Sequence, residues 1–280
     1  MTALPDSLRL GAAHLSVADL DRSIGFYQDA LGLRQHRRED GVAALGAGAE
    51  DLLVLHEEPG ARPGGRAAGL FHFALLYPSR EELARALQRL AATRTPLDGA
   101  SDHGVSEALY LHDPDNHGIE LYSDRPHAAW PPPANPGERV GMYTRALDLD
   151  DLLATIAGEA PVAHAGAGLR MGHVHLHVGD LDAARTFYAD RLGLELMTTY
   201  PGALFLAAGG YHHHLGLNTW RGEGVGPVPA GTVGLREWTI VLDPPALAAL
   251  HERLAAAGVG HDGELITDPW GIPVRVSASD

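Results

Sequence analysis

The chain has no cysteine and, although 21 of its residues are basic, no lysine. Without thiols there are no disulfides, no thiolate metal ligands and no cysteine nucleophile. Without an amine side chain there is no Schiff-base chemistry and no P-loop lysine. No apolar run reaches the length that crosses a bilayer. The segment from Met1 to Leu8 lacks the charged and then apolar pattern of a signal peptide, so a cytoplasmic location is the expectation. The net charge of -15 argues against nucleic acid and anionic membrane surfaces as partners.

Histidine, by contrast, is abundant. There are 17, and they cluster. The segment Met171-Gly172-His173-Val174-His175-Leu176-His177-Val178 alternates imidazoles with apolar residues. In an extended strand the side-chain period is two. His173, His175 and His177 therefore share one face, and Val174, Leu176 and Val178 the other. Imidazole is the commonest metal ligand and a proton shuttle near neutral pH. A second cluster is His212-His213-His214.

With 280 residues, 45% of them hydrophobic, the chain can fill a large core or two ordinary domains. Its organisation is repetitive. A strand over 8–17 is followed by Asp19-Leu20-Asp21, a helix that stops at Gly32, and three short strands. A second unit opens on the strand 69–77, continues with a helix capped by Ser79 and Glu82, and closes with strands around the turn Asp113-Pro114-Asp115-Asn116. Residues 125–168 form a Pro-rich linker with a short helix near Leu149. Then Asp19-Leu20-Asp21…Phe26-Tyr27…Leu31-Gly32-Leu33 recurs without a gap as Asp180-Leu181-Asp182…Phe187-Tyr188…Leu192-Gly193-Leu194. A fourth unit starts near Gly234, and its Asp268-Pro269 repeats Asp113-Pro114. The expected class is α+β, with four βαβββ modules in two halves, 8–124 and 169–280.

These motifs, with Asp113-Pro114-Asp115 leading into Ile119-Glu120-Leu121-Tyr122, resemble the vicinal oxygen chelate superfamily of glyoxalase I, bleomycin-resistance proteins and extradiol dioxygenases. More narrowly, the stretches 211–220 and 102–110 resemble four-module catechol 2,3-dioxygenase-like proteins. The resemblance implies paired modules forming cupped, incomplete β-barrels. It also implies an iron(II) site, with manganese(II) as the alternative, and a small aromatic diol and dioxygen as substrates in aromatic-compound catabolism. A homo-oligomer stays open.

In that family the first-strand ligand lies seven residues before the Asp that opens the helix, which gives His173 in the third unit and Ala12 in the first. The matching residues are His72 in the second unit and Glu237 in the fourth. The last-strand carboxylate maps to Glu120, and in the fourth unit to Arg275. Pairing unit 1 with 4 and unit 2 with 3 therefore assembles His72, His173 and Glu120 in one cup and leaves Glu237 and Arg275 to pair in the other. Pairing 1 with 2 would have to use His14 instead. The resemblance further implies a proton-transferring histidine at His214, with His213 close behind, and a hydrogen-bonding tyrosine at Tyr110. His103 lies before Tyr110 as a mouth-lining or solvated residue, and His36, His56, His251 and His261 read as surface residues. Phe71, Phe73, Tyr200, Phe205 and Trp220 are candidate pocket walls. A glyoxalase-like site would want a second carboxylate near Gly216, and a non-catalytic drug-binding protein would need no metal.

Overall fold

The computed structural model describes residues 3–260 and 262–279, so His261 lies outside the described residues. Each module begins as its sequence dictates. Asp19 accepts from Arg22 N–H at 2.9 Å and Asp180 from Ala183 N–H at 2.7 Å, each satisfying a free amide at a helix start. Ser79 caps Arg80–Thr93 in the same way.

The strands assemble into two sheets that cross the halves of the chain. In an eight-stranded sheet, Arg9–Val17 of the first module pairs antiparallel with Thr232–Leu242 of the fourth. In a nine-stranded sheet, Gly69–Tyr77 of the second module pairs antiparallel with Arg170–His177 of the third. The pairing is thus 1 with 4 and 2 with 3, and each sheet curls into a half-barrel, the vicinal oxygen chelate architecture.

Alternation sorts side chains between the sheets and the cups. Phe73, Leu75, Val174 and Leu176 enter a continuous core shared with Leu15, Val17, Trp238 and Ile240 of the other sheet. That placement removes Phe73 from the pocket walls. The repeated Phe-Tyr motif has a structural reason. Tyr27 donates to Asp113 Oδ2 at 2.8 Å, and Tyr188 donates to Asp268 Oδ2 at 2.9 Å. Asp113 Oδ1 meanwhile accepts the amides of Asp115 and His117, and Asp268 Oδ1 those of Trp270 and Ile272. Each tyrosine thereby ties its own helix to the Asp-Pro turn of the opposite sheet, and leaves no buried carboxylate oxygen unpaired.

The linker's helix is Leu149–Ala154, and its strand Arg145–Ala146 extends the nine-stranded sheet. Among the described residues no helix is long and apolar enough to cross a membrane.

Candidate metal centre

One row of the nine-stranded sheet builds the site. His173 pairs with Ala74, Ala74 with Glu120, and Glu120 with Tyr110 across three neighbouring strand pairs. Residues opposite one another point to the same face. Tyr110, Glu120 and His173 therefore stand side by side in the cup, and His72, two residues before Ala74, joins them. Ala74 leaves the space between them free of side chain beyond a methyl group.

The donor atoms converge. His72 Nε2 and His173 Nε2 are 3.2 Å apart, and each lies 3.1 Å from Glu120 Oε2. Three donors at this spacing can all reach one divalent ion at ordinary nitrogen and oxygen bond lengths. All three residues are buried, at 6%, 1% and 3% exposure for His72, His173 and Glu120. Burial pushes the His173 imidazole down to about 4, so it is neutral at pH 7 and its lone pair is available. Burial opposes the charge of Glu120, yet the hydrogen-bonding imidazoles of His173 and His72 hold its carboxyl well below the usual range. Two imidazole nitrogens facing each other at 3.2 Å beside one carboxylate oxygen suit a cation between them. The donor set fits a divalent metal, and no other such cluster occurs among the described residues.

The remaining histidines of the strand have other partners. Asn218 Nδ2 donates to His175 Nε2 at 2.9 Å, and His177 Nδ1 donates to Asn218 Oδ1 at 2.7 Å. A Cβ at Gly216 would meet the His175 ring at 2.7 Å, so the strand Leu215–Asn218 has no room there for a carboxylate ligand.

A cavity of about 300 Å³ opens on His72 and Glu120 of the triad. Phe71, Phe205, Trp220 and Tyr200 wall it, so four of the five candidate aromatics belong to it. His213 lines it too, with its ring centroid 4.1 Å from that of His173. His214 does not. It lies against a second cavity of about 660 Å³ and accepts from Ala208 N–H at 3.2 Å. Strand alternation places His214 in the site only if the strand starts at His212. The chain bends through 212–214 and becomes a strand at Leu215, which turns His213 toward the site instead.

His103 is half-buried on the cavity wall rather than solvated. Its Nδ1–H donates to the Tyr143 carbonyl at 2.9 Å, which leaves Nε2 to accept the Tyr110 hydroxyl at 2.7 Å. Burial, with the Glu120 charge beside it, pushes the Tyr110 hydroxyl well above its ordinary range, so it keeps its proton. Met142, Tyr143 and Thr144 also line the cavity. They come from the linker, whose irregular sequence carries no signal for a binding wall.

The other cup is closed by charge. Arg275 Nε donates to Glu237 Oε1 at 2.7 Å and its second amino group to Oε2 at 3.2 Å. His14 stacks on His56, and its Nε2 lies 3.7 Å from Glu237 Oε1. His14 therefore belongs to this cup and not to the triad. His56 and His251 are half-buried rather than surface residues, while His36 is exposed.

The family model described as Glyoxalase/Bleomycin resistance protein/Dioxygenase superfamily matches residues 9–121 and 170–272. Over 250 residues the chain is 42% identical to a catechol-2,3-dioxygenase of Bacillus subtilis (strain 168), covering 86% of this chain and 85% of that protein. Two solved structures share the fold. A putative dioxygenase from Bacillus subtilis subsp. subtilis str. 168 aligns with a TM-score of 0.63 and 14% identity, over 99% of this chain and 86% of that one. Glyoxalase I from Zea mays aligns with a TM-score of 0.58 and 20% identity, over 96% and 92%.

Proposed function

The chain belongs to the Glyoxalase/Bleomycin resistance protein/Dioxygenase superfamily, and from that premise we propose that it is an extradiol dioxygenase, cleaving the ring of a catecholic substrate with dioxygen. His72, His173 and Glu120 would hold the divalent metal, with iron(II) first and manganese(II) second. The observation that carries the reading is this buried set of two histidines and one glutamate, on one face, opening into an aromatic-walled cavity. When bound, such an ion would supply the Lewis-acid and redox chemistry needed by the diol and dioxygen.

The residues around the triad fit the remaining tasks. Phe71, Phe205 and Trp220 offer apolar and edge surfaces to an aromatic ring. Tyr110, its hydroxyl protonated and donated to His103, sits beside Glu120 where its oxygen can accept a hydrogen bond from a diol hydroxyl. His213 is neutral, because burial pushes its imidazole well below the usual value. It can accept a diol proton and return one later, the work of a general acid–base group.

The glyoxalase-like reading wants a second carboxylate near Gly216, where the His175 ring leaves no room. The metal-free binding reading leaves Glu120 buried with no cation, which is costly.

The test is dioxygen uptake by protein reconstituted anaerobically with iron(II) and then given catechol, with absorbance followed for a yellow ring-opened product. Uptake with that product, lost in His173→Ala, is the expected result. One tightly bound metal per chain without uptake would move the assignment to redox-neutral chemistry.

A further inference from the structure

The cluster His212-His213-His214 puts three adjacent imidazoles in three different settings. His214 faces away from the triad and His213 lines its cavity. His212 is fully buried, between Tyr211 at 4.1 Å and Trp130 at 5.4 Å between ring centroids. Both nitrogens of His212 are engaged. Nε2 lies 2.8 Å from Asp124 Oδ1, and Nδ1 lies 2.8 Å from His213 Nδ1. Asp124 is itself anchored, accepting the Tyr211 hydroxyl at 3.1 Å on Oδ2, and Tyr211 in turn contacts the Tyr122 hydroxyl at 2.7 Å.

We propose that Asp124 and His212 are positioning residues that fix the tautomer and orientation of His213, so that His213 presents an unprotonated Nε2 to the cavity. The proton count leads there. A carboxylate only accepts, so His212 must donate through Nε2. In the proposed arrangement each ring of the pair carries one proton, so Nδ1 of His212 is then an acceptor. The facing Nδ1 of His213 must carry the hydrogen. With its one proton on Nδ1, His213 is left with a bare lone pair on Nε2. Which ring nitrogen holds the proton is set by the hydrogen bond made by the other one. An isolated histidine prefers the opposite arrangement, with its proton on Nε2, and would then offer the cavity a donor where a base is needed.

This carboxylate–imidazole–imidazole chain repeats, with one more ring, the way a buried carboxylate orients the base of a hydrolytic triad. It also gives the linker a task. Trp130 donates its indole N–H to the Arg125 carbonyl at 2.8 Å and covers His212 from above. The rotamer of His212 is held by packing on both sides and by hydrogen bonds at both ends.

The proposal rests on His213 acting as the acid–base group, and its test separates the two. Long-range proton–nitrogen NMR of the full chain loaded with zinc(II), at neutral pH, reads the tautomer of each histidine, with His213→Gln assigning the signals. The expected result is a neutral His213 with its proton on Nδ1. In His212→Leu the proton moves wholly or partly to Nε2. The kcat for dioxygen uptake by the iron(II) protein then falls about 10–100-fold, with KM within about twofold. His212→Asn, whose amide oxygen can still accept from His213 Nδ1, keeps the tautomer and most of kcat. Asp124→Asn, which offers His212 a donor as well as an acceptor, gives a mixture of tautomers, and serves if His212→Leu does not fold. A His213 proton on Nε2 in the parent protein overturns the proposal. So does a proton that stays on Nδ1 in both His212→Leu and Asp124→Asn, whatever happens to kcat. The expected tautomers in a protein that takes up no dioxygen would sustain the positioning role and reject the dioxygenase reading instead.

Discussion

His72 and His173 are separated by 101 residues of chain and by 3.2 Å at their Nε2 atoms. The contact exists because the second and third modules share a sheet, and it makes the site a joint product of both halves of the chain. Removing either imidazole should cost the site its metal. His72→Ala and His173→Ala are each expected to bind iron(II) or manganese(II) at least ~100-fold more weakly, beyond the effect of losing an outer-shell partner. Metal content per chain after gel filtration is the measurement. One retained equivalent in either variant would remove that residue from the ligand set.

Tyr110 is expected to affect turnover without affecting metal content. Tyr110→Phe removes one hydroxyl beside Glu120, leaving the three donors in place. The kcat should fall about 10–100-fold, with one metal per chain retained. Parallel dioxygen-electrode and metal analyses decide it, and an unchanged kcat would remove Tyr110 from the reaction.

The metal-free protein should lose stability as pH falls. Burial pushes His173 and His177 down to about 4 and His214 to about 3, from 6.5. Between 6.5 and those values the unfolded chain binds protons that the folded chain refuses, so stability rises with pH in that window. It is fully present above about 6.5 and declines toward 4. His214→Asn keeps an acceptor near the Nδ1 position and removes one titrating group. Its urea midpoint should therefore fall less steeply over the same range. Equal slopes for the two proteins would show that His214 titrates normally.

The charge pair in the other cup should matter to stability alone. Arg275→Met leaves Glu237 facing His14 with its bidentate partner gone. Because Arg275 is partly exposed, the expected loss is about 1 kcal/mol rather than the several of a buried pair. Denaturant unfolding measures it. Adding Glu237→Leu should recover most of the loss, and metal content should stay at the parental value throughout.

Much of this was legible in the sequence, for a physical reason. Strand period and the repeated Asp-Leu-Asp and Asp-Pro spacings are local properties, and they located the modules; the family resemblance, counted along those spacings, pointed to Glu120 and His173. The cross-half pairing followed from chemistry, since only that pairing brings His72, His173 and Glu120 into one cup and sets Arg275 against Glu237. What failed was the extrapolation of local regularity through a bend. The resemblance put a proton-transferring histidine at His214, with the strand taken to run through 212–214, and the bend before Leu215 turns His213 toward the site instead. The role of His103 was hidden because its partner, the Tyr143 carbonyl, is a backbone atom of an irregular linker. No side-chain pattern marks such an acceptor. His56 looked like a surface residue because its neighbour His14 lies on a different strand.

The pairing of Arg9–Val17 with Thr232–Leu242 also sets a timetable. A ribosome adding about 5–20 residues per second delivers the second strand on the order of tens of seconds after the first. Throughout that interval one edge of the first strand has no partner, and the core-facing side chains of Leu15 and Val17 have only part of their final surroundings. Contacts of such long sequence separation also close late and slowly in refolding. Newly made chains of this protein therefore depend on staying unaggregated until their last module emerges, and slow synthesis or crowding at that stage should lower yield more than any loss of native stability would.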